Sequence, residues 1–208
     1  MALNHVVRHK LIDRVFHWLM AGAMITLVLT GLCPIFGIEL NWVQIHWIAG
    51  ILLTVIIIFH IVRSVLRYNL LSIWVGPVEI YKFLISLRQG VVIRPGKYSI
   101  AQRLMHNAVT IFSLVAILTG LLLLLRIDTP LWERDPYILS QSAWGLVYVL
   151  HGLAALVFVT IILVHIYFAI RPEKLFYLRS MVLGWITKDE LSESHDPLLW
   201  KVDEESEQ

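Results

Sequence analysis

Cysteine and charge are what this chain has least of. Cys33 is the only cysteine in 208 residues. That excludes a disulfide framework, a CxxC redox pair, a cysteine-held iron–sulfur cluster and a CxxCH covalent haem site. Charged residues make up 15% of the chain and apolar ones 58%, whereas a soluble domain is about a quarter charged. Such a chain cannot cover a water-facing surface, so the composition points to a bilayer as its solvent. The apolar runs hold no carboxylates within them and read as unbroken helices, which argues against a transporter. A cleavable leader is not expected, because Arg8, Lys10, Asp13 and Arg14 precede the first apolar run and the run continues past Leu29 as a retained span.

Four apolar stretches are present, from about Val15 to Phe36, Trp42 to Val62, Leu104 to Leu125 and Trp144 to Ile170. Each reaches the ~20 helical residues that cross a bilayer. Open sheets and lipid-facing loops are excluded from hydrocarbon, so the expected fold is all-α, an integral membrane four-helix bundle. Of the seventeen basic residues, fifteen fall in the N-terminal segment, the second loop and the tail; only Arg126 and Arg134 fall in the first and third loops. That asymmetry predicts a multi-pass protein of a bacterial-type inner membrane with both termini cytoplasmic. The stretch Ile73–Gln89 mixes Trp74, Val78, Tyr81, Phe83 and Ile85 with Glu79, Lys82 and Arg88. It predicts a helix lying on the cytoplasmic surface or an ordinary amphipathic linker. Residues 1–185 form the expected membrane domain, and 186–208 an acidic, Ser-rich tail that is disordered or held by a partner. No repeat of residue identity is found beyond the histidine spacing.

Nine histidines carry the functional signal. His46 and His60 stand fourteen residues apart in the second span, and His151 and His165 fourteen apart in the fourth. Fourteen residues turn a helix by about 1400°, ~40° short of four turns, and rise ~21 Å. Each pair therefore looks out from one helix face at two depths. Both spans run from outside to inside, which sets His46 level with His151 near the outer face and His60 level with His165 near the inner face. His17 opens the first span and also lies near the inner face. Facing imidazoles at one depth are what a six-coordinate haem iron needs, and ionisable groups inside a membrane signal function. The outer pair is His46 with His151; the inner partner of His165 is His17 or His60. Gly31, Gly50 and Gly152 would let a flat macrocycle approach the backbone or would only tighten helix packing. His5, His9 and His195 lie in polar termini and read as solvated.

The run Arg8-His9-Lys10-Leu11-Ile12-Asp13-Arg14-Val15-Phe16-His17-Trp18, with His46, Arg63, Lys97-Tyr98, Gln102, Leu150-His151-Gly152 and Val164-His165-Ile166-Tyr167, resembles the cytochrome b (gamma) subunit of respiratory formate dehydrogenases. Thiosulfate reductase and nickel–iron hydrogenase cytochromes b are related. The resemblance covers Val6 to about Tyr177. It implies two haem b groups, one on His17 and His165 and one on His46 and His151. His60 departs from the pattern and leaves open a ligation in which two helices supply all four ligands. The resemblance also implies a quinone site, for menaquinone or ubiquinone, at Lys97, Tyr98, Ser99 and Gln102 on the cytoplasmic side, with Ser99 where the family has Asn. His106, one turn past Gln102, is outside that pattern and reads as a packing residue. The implied partners are an iron–sulfur subunit and a catalytic subunit of a membrane-bound oxidoreductase; nucleic acid is not among them. The chain would be an electron-transfer subunit of such a complex rather than an enzyme alone. Its rivals are a haem-free membrane anchor or assembly subunit and a quinol-oxidising cytochrome of a reductase or hydrogenase.

Overall fold

The computed structural model of the protein describes residues 5–67, 73–91, 94–130, 132–196 and 199–200. The elements in chain order are β1 (His5–Val7), α1 (Leu11–Leu32), α2 (Trp42–Arg67), α3 (Pro77–Gln89), α4 (Ile100–Leu124), α5 (Gln141–Ala169), a single 3-10 turn (Pro172–Lys174), α6 (Leu175–Leu183), β2 (Trp185–Thr187) and α7 (Lys188–Ser194). The four long helices α1, α2, α4 and α5 are each long and apolar enough to cross a membrane. The fold is all-α, with four spans, as the hydropathy predicts. The chain forms two compact units.

One unit comprises Trp18–Leu66 and Ala108–Leu163. Ala23 and Met24 of α1, Leu53 of α2 and Phe158 of α5 are buried together, with Val109, Phe112 and Ala116 of α4 against them. All four spans thus share one core. The remaining apolar side chains point outward: Leu29, Val55, Leu118 and Leu156 are each about 60% exposed or more (59–64%). Burying so little of such helices leaves an apolar surface that only a hydrocarbon solvent accommodates. At the head of α5, Trp144 is buried and its indole N–H donates to the Pro136 carbonyl at 2.8 Å.

Helix α1 differs from the hydropathy reading at both ends. It starts at Leu11 and stops at Leu32 rather than Phe36. Pro34 has no N–H to continue the ladder, and the chain turns there, leaving Ile35 and Phe36 exposed.

The other unit comprises Met1–His17, Arg67–Asn107 and Val164–Gln208. Strands β1 and β2 pair antiparallel, with Val6 opposite Ile186, and Val6, Ile186 and Trp200 form a small buried cluster with Phe176 and Leu191 alongside. Gly184 ends α6 at φ +96° and accepts from the Arg8 and His9 amides through its carbonyl. A Cβ there would stand 3.1 Å from the His9 carbonyl oxygen, so glycine is required on both counts. Helix α3 occupies part of the predicted Ile73–Gln89 stretch. Val78, Tyr81, Leu84 and Leu87 recur at three-residue spacing and are all exposed, while Glu79 pairs with Arg103 of α4 at 2.8 Å.

Within the stretch expected as a tail, the described residues form part of β2 and all of α7, and Trp200 is buried. The boundary set at residue 185 falls inside β2. Thr187 caps α7 by accepting from the Glu190 amide at 3.2 Å, and Glu190 accepts from the Thr187 amide at 2.9 Å. The rest of the expected acidic tail, 201–208, lies outside the described residues.

Candidate functional site

The histidines meet in two pairs. The His46 ring of α2 and the His151 ring of α5 stand 6.2 Å apart between centres, at 71° to each other. The His17 ring of α1 and the His165 ring of α5 also stand 6.2 Å apart, at 50°. The imidazole facing His165 is therefore His17's. His17, His46 and His151 are half-buried and His165 is exposed, as residues of helices that line a bundle would be. His60 is half-buried on α2.

Metal–imidazole nitrogen distances are ~2.0–2.1 Å and a ring nitrogen lies ~1.2 Å from its ring centre, so two imidazoles on opposite sides of one first-row metal stand ~6.4 Å apart. Both pairs have that spacing. Among the described residues no group of three or more His, Cys, Asp or Glu gathers to hold a bare metal ion. Two facing imidazoles and nothing else suit an iron whose equatorial ligands come from a macrocycle. The residues fit haem b.

Around the His46–His151 pair the structure shows contacts that sequence reading missed. Thr30 Oγ1 lies 2.9 Å from His46 Nδ1, and Thr119 Oγ1 lies 2.9 Å from His151 Nδ1. The next residue is glycine in both cases. A Cβ on Gly31 would stand 3.6 Å from His46 Cε1, and one on Gly120 would stand 3.3 Å from His151 Cε1. Gly31 thus receives an imidazole, whereas Gly152 has nothing within 4 Å of a Cβ and Gly50 meets only Leu27. The signal was in the sequence, because Leu29-Thr30-Gly31-Leu32 recurs as Leu118-Thr119-Gly120-Leu121. That is an identity repeat beyond the histidines.

The four expected quinone residues gather at the foot of α4. Ser99 and Gln102 form a capping box: the Gln102 amide donates to Ser99 Oγ at 3.2 Å and the Ser99 amide donates to Gln102 Oε1 at 2.8 Å. This leaves the Ser99 hydroxyl proton and the Gln102 amino group as donors. Lys97 Nζ is 5.7 Å from the Tyr98 ring centre. Arg103, one residue on, is held by Glu79 and by the Ile73 and Trp74 carbonyls. His106 lies on α4, one turn past Gln102.

Beside these residues two histidines expected in solvent are enclosed. Arg8 and His195 are both buried. Arg8 Nη1 donates to His195 Nε2 at 2.9 Å, Nη2 donates to the Lys97 carbonyl at 2.9 Å, and Nε donates to His9 Nε2 at 3.3 Å. With Nε2 accepting, His195 Nδ1 carries the proton and donates to the Gly96 carbonyl at 2.7 Å. The Arg8 guanidinium also lies 4.5 Å from the Tyr177 ring centre. Burial, then Arg8, Lys97 and the other cations around it, push the His9 imidazole down to about 3. Burial likewise lowers His195, though its bond to Gly96 opposes this. Both rings are neutral at physiological pH.

A comparison with curated proteins returned no match. A family model described as prokaryotic cytochrome b561 matches residues 8–184, from the buried Arg8 to the glycine that closes on it. That match takes in all four spans and both histidine pairs, and the chain belongs to the prokaryotic cytochrome b561 family, membrane cytochromes that bind haem b and carry electrons.

Proposed function

We propose that this cytochrome b is a di-haem electron-transfer subunit, linking an iron–sulfur and catalytic partner on the periplasmic side to a quinone on the cytoplasmic side. The observation that carries the reading is the pair of facing imidazoles at 6.2 Å, present twice. His46 with His151 would hold one haem and His17 with His165 the other, His17 being favoured over His60 because its ring is the one that faces His165. Haem b supplies one-electron transfer at each level when bound. The chain's own part is to fix four imidazoles on helices and to set the two levels fourteen residues of α5 apart, ~21 Å along the helix.

The quinone, whether menaquinone or ubiquinone, is expected beside His165 with Lys97, Tyr98, Ser99 and Gln102 around it. Reduction there needs donors at the carbonyl oxygens and protons from the cytoplasm. The Ser99 hydroxyl and Gln102 amino group are suitable donors, and Lys97 supplies positive charge for the reduced oxygen. The reading comes from the resemblance to formate dehydrogenase gamma subunits together with the collection of these residues at one helix end.

A pyridine haemochrome assay on the purified chain should return two b haems. His46→Ala or His151→Ala should remove one and spare the other; His17→Ala should remove the second, and His60→Ala should leave both. One haem per wild-type chain, or none, would sink the di-haem reading. Loss of a haem in His60→Ala with retention in His17→Ala would move the ligand to α2.

A further inference from the structure

The duplicated Thr-Gly step does more than make room. Thr30 Oγ1 stands 2.6 Å from the Thr26 carbonyl and Thr119 Oγ1 stands 2.6 Å from the Val115 carbonyl, each one turn back on its own helix. A threonine hydroxyl has one proton, and at that distance it goes to the carbonyl. Toward the imidazole the oxygen can then only accept. His46 Nδ1 and His151 Nδ1, each 2.9 Å away, must therefore carry their rings' protons. The other nitrogen, Nε2, keeps its lone pair.

The Cε1 edge of each imidazole faces the glycine that follows the threonine, 3.6 Å from where a Cβ would stand at Gly31 and 3.3 Å at Gly120. The hydroxyl leaves each ring one tautomer. The same four residues do this on α1 for His46 and on α4 for His151, so two separate helix pairs arrive at one arrangement.

We infer that Thr30 and Thr119 are positioning residues for electron transfer: they act through His46 and His151, hold both in the metal-binding tautomer, and set the reduction potential at that level. The inference rests on the reading of His46 and His151 as haem ligands. An Nδ1–H bonded to a hydroxyl that is itself polarised by a carbonyl makes the imidazole a stronger donor. A stronger imidazole donor would stabilise the ferric state of a haem held by His46 and His151, so its potential would lie lower than without the bond.

The test is a redox titration, followed optically, of the full chain carrying Thr30→Val, Thr119→Val or both, with Thr→Ser at each site as rescue. Valine keeps the shape and removes the acceptor; serine restores it. One of the two haem potentials should move positive in each valine variant and further in the double, return in the serine variants, and leave the second haem unmoved. Loss of that one haem alone, restored by serine, is the same result in stronger form. Unchanged potentials and spectra in the double valine variant would overturn the inference, as would loss of both haems that serine fails to restore. Failure of the ligand reading is separate, because His46→Ala and His151→Ala would then leave the haem content of the wild-type chain unchanged.

Discussion

At the scale of single residues, burial and hydrogen-bond direction keep His9 and His195 neutral. The Arg8–His195 contact is the clearest case outside the spans. Protonating His195 at Nε2 would set two cationic donors against each other 2.9 Å apart. For His9 the ordinary value of 6.5 falls to about 3, with burial the largest cause. Between those two values the unfolded chain binds a proton that the folded chain refuses, so stability rises with pH across that window. The contribution is complete above about 6.5 and is lost as pH falls toward 3. Amide exchange at Val6 and Ile186, corrected for intrinsic rate, should therefore quicken relative to its neutral-pH value when the pH is lowered to 5. A His9→Gln, His195→Gln double variant should lose that pH dependence. His195→Ala should cost ~1–3 kcal/mol by leaving the Arg8 donor and Gly96 carbonyl unmet, and unchanged thermal unfolding would refute the arrangement. None of this was legible beforehand: His195 stands among Ser, Glu and Asp, and only the return of the chain onto Gly96 encloses it. The histidines that face one another were legible as candidates, since spacing along one helix needs no knowledge of its neighbours. Which of His17 and His60 faces His165 depends on another helix, and spacing alone left both open.

At the scale of elements, apolar runs located the four spans, but ends were set by hydrogen-bonding chemistry that hydropathy does not count. Pro34 stops α1 although Ile35 and Phe36 continue the apolar run. Ser99 and Gln102 start α4, and Thr187 and Glu190 start α7, each as a capping box. Both boxes were readable as S/T-x-x-E/Q; the first was read for chemistry and the second passed over within an acidic stretch. Ser99 and Gln102 cap α4 and are proposed to bind quinone, which gives a way to separate the two roles. Ser99→Ala removes the cap and should cost ~1 kcal/mol of stability. Gln102→Glu keeps the box, because Glu serves equally at that position, yet removes the amide donor. Thermal unfolding should therefore drop in the first variant and hold in the second, while reoxidation of the reduced haems by added quinone slows in both. If Gln102→Glu turns over at the wild-type rate, the acceptor binds elsewhere, and the face near Trp132 and Trp144 is the next to probe.

At the scale of the whole molecule, three segments far apart in sequence come together in one unit. The N-terminal segment, the second loop and the C-terminal segment are joined by Arg8 to the Lys97 carbonyl, by His195 to the Gly96 carbonyl, and by the Asp196 amide to the Pro95 carbonyl at 2.8 Å. Segments joined in this way must lie on one side of the membrane, which four crossings require of a chain whose ends meet its middle loop. Fourteen of the seventeen Lys and Arg residues belong to that unit. The positive-inside rule predicts that this side is the cytoplasmic one, because Lys and Arg near span ends are retained there. A phosphatase that is active only in the periplasm should be silent when fused after Gln208 and active when inserted near Asp135, in the loop that joins α4 to α5. Activity at both sites would deny the single crossing, α5, that separates them. Activity after Gln208 with silence at Asp135 would invert the protein, bringing His46 and His151 to the cytoplasmic side and the Lys97–Gln102 cluster to the periplasm. Quinone reduction at that cluster would then draw its protons from outside, and the proposed separation of half-reactions across the bilayer would run backwards.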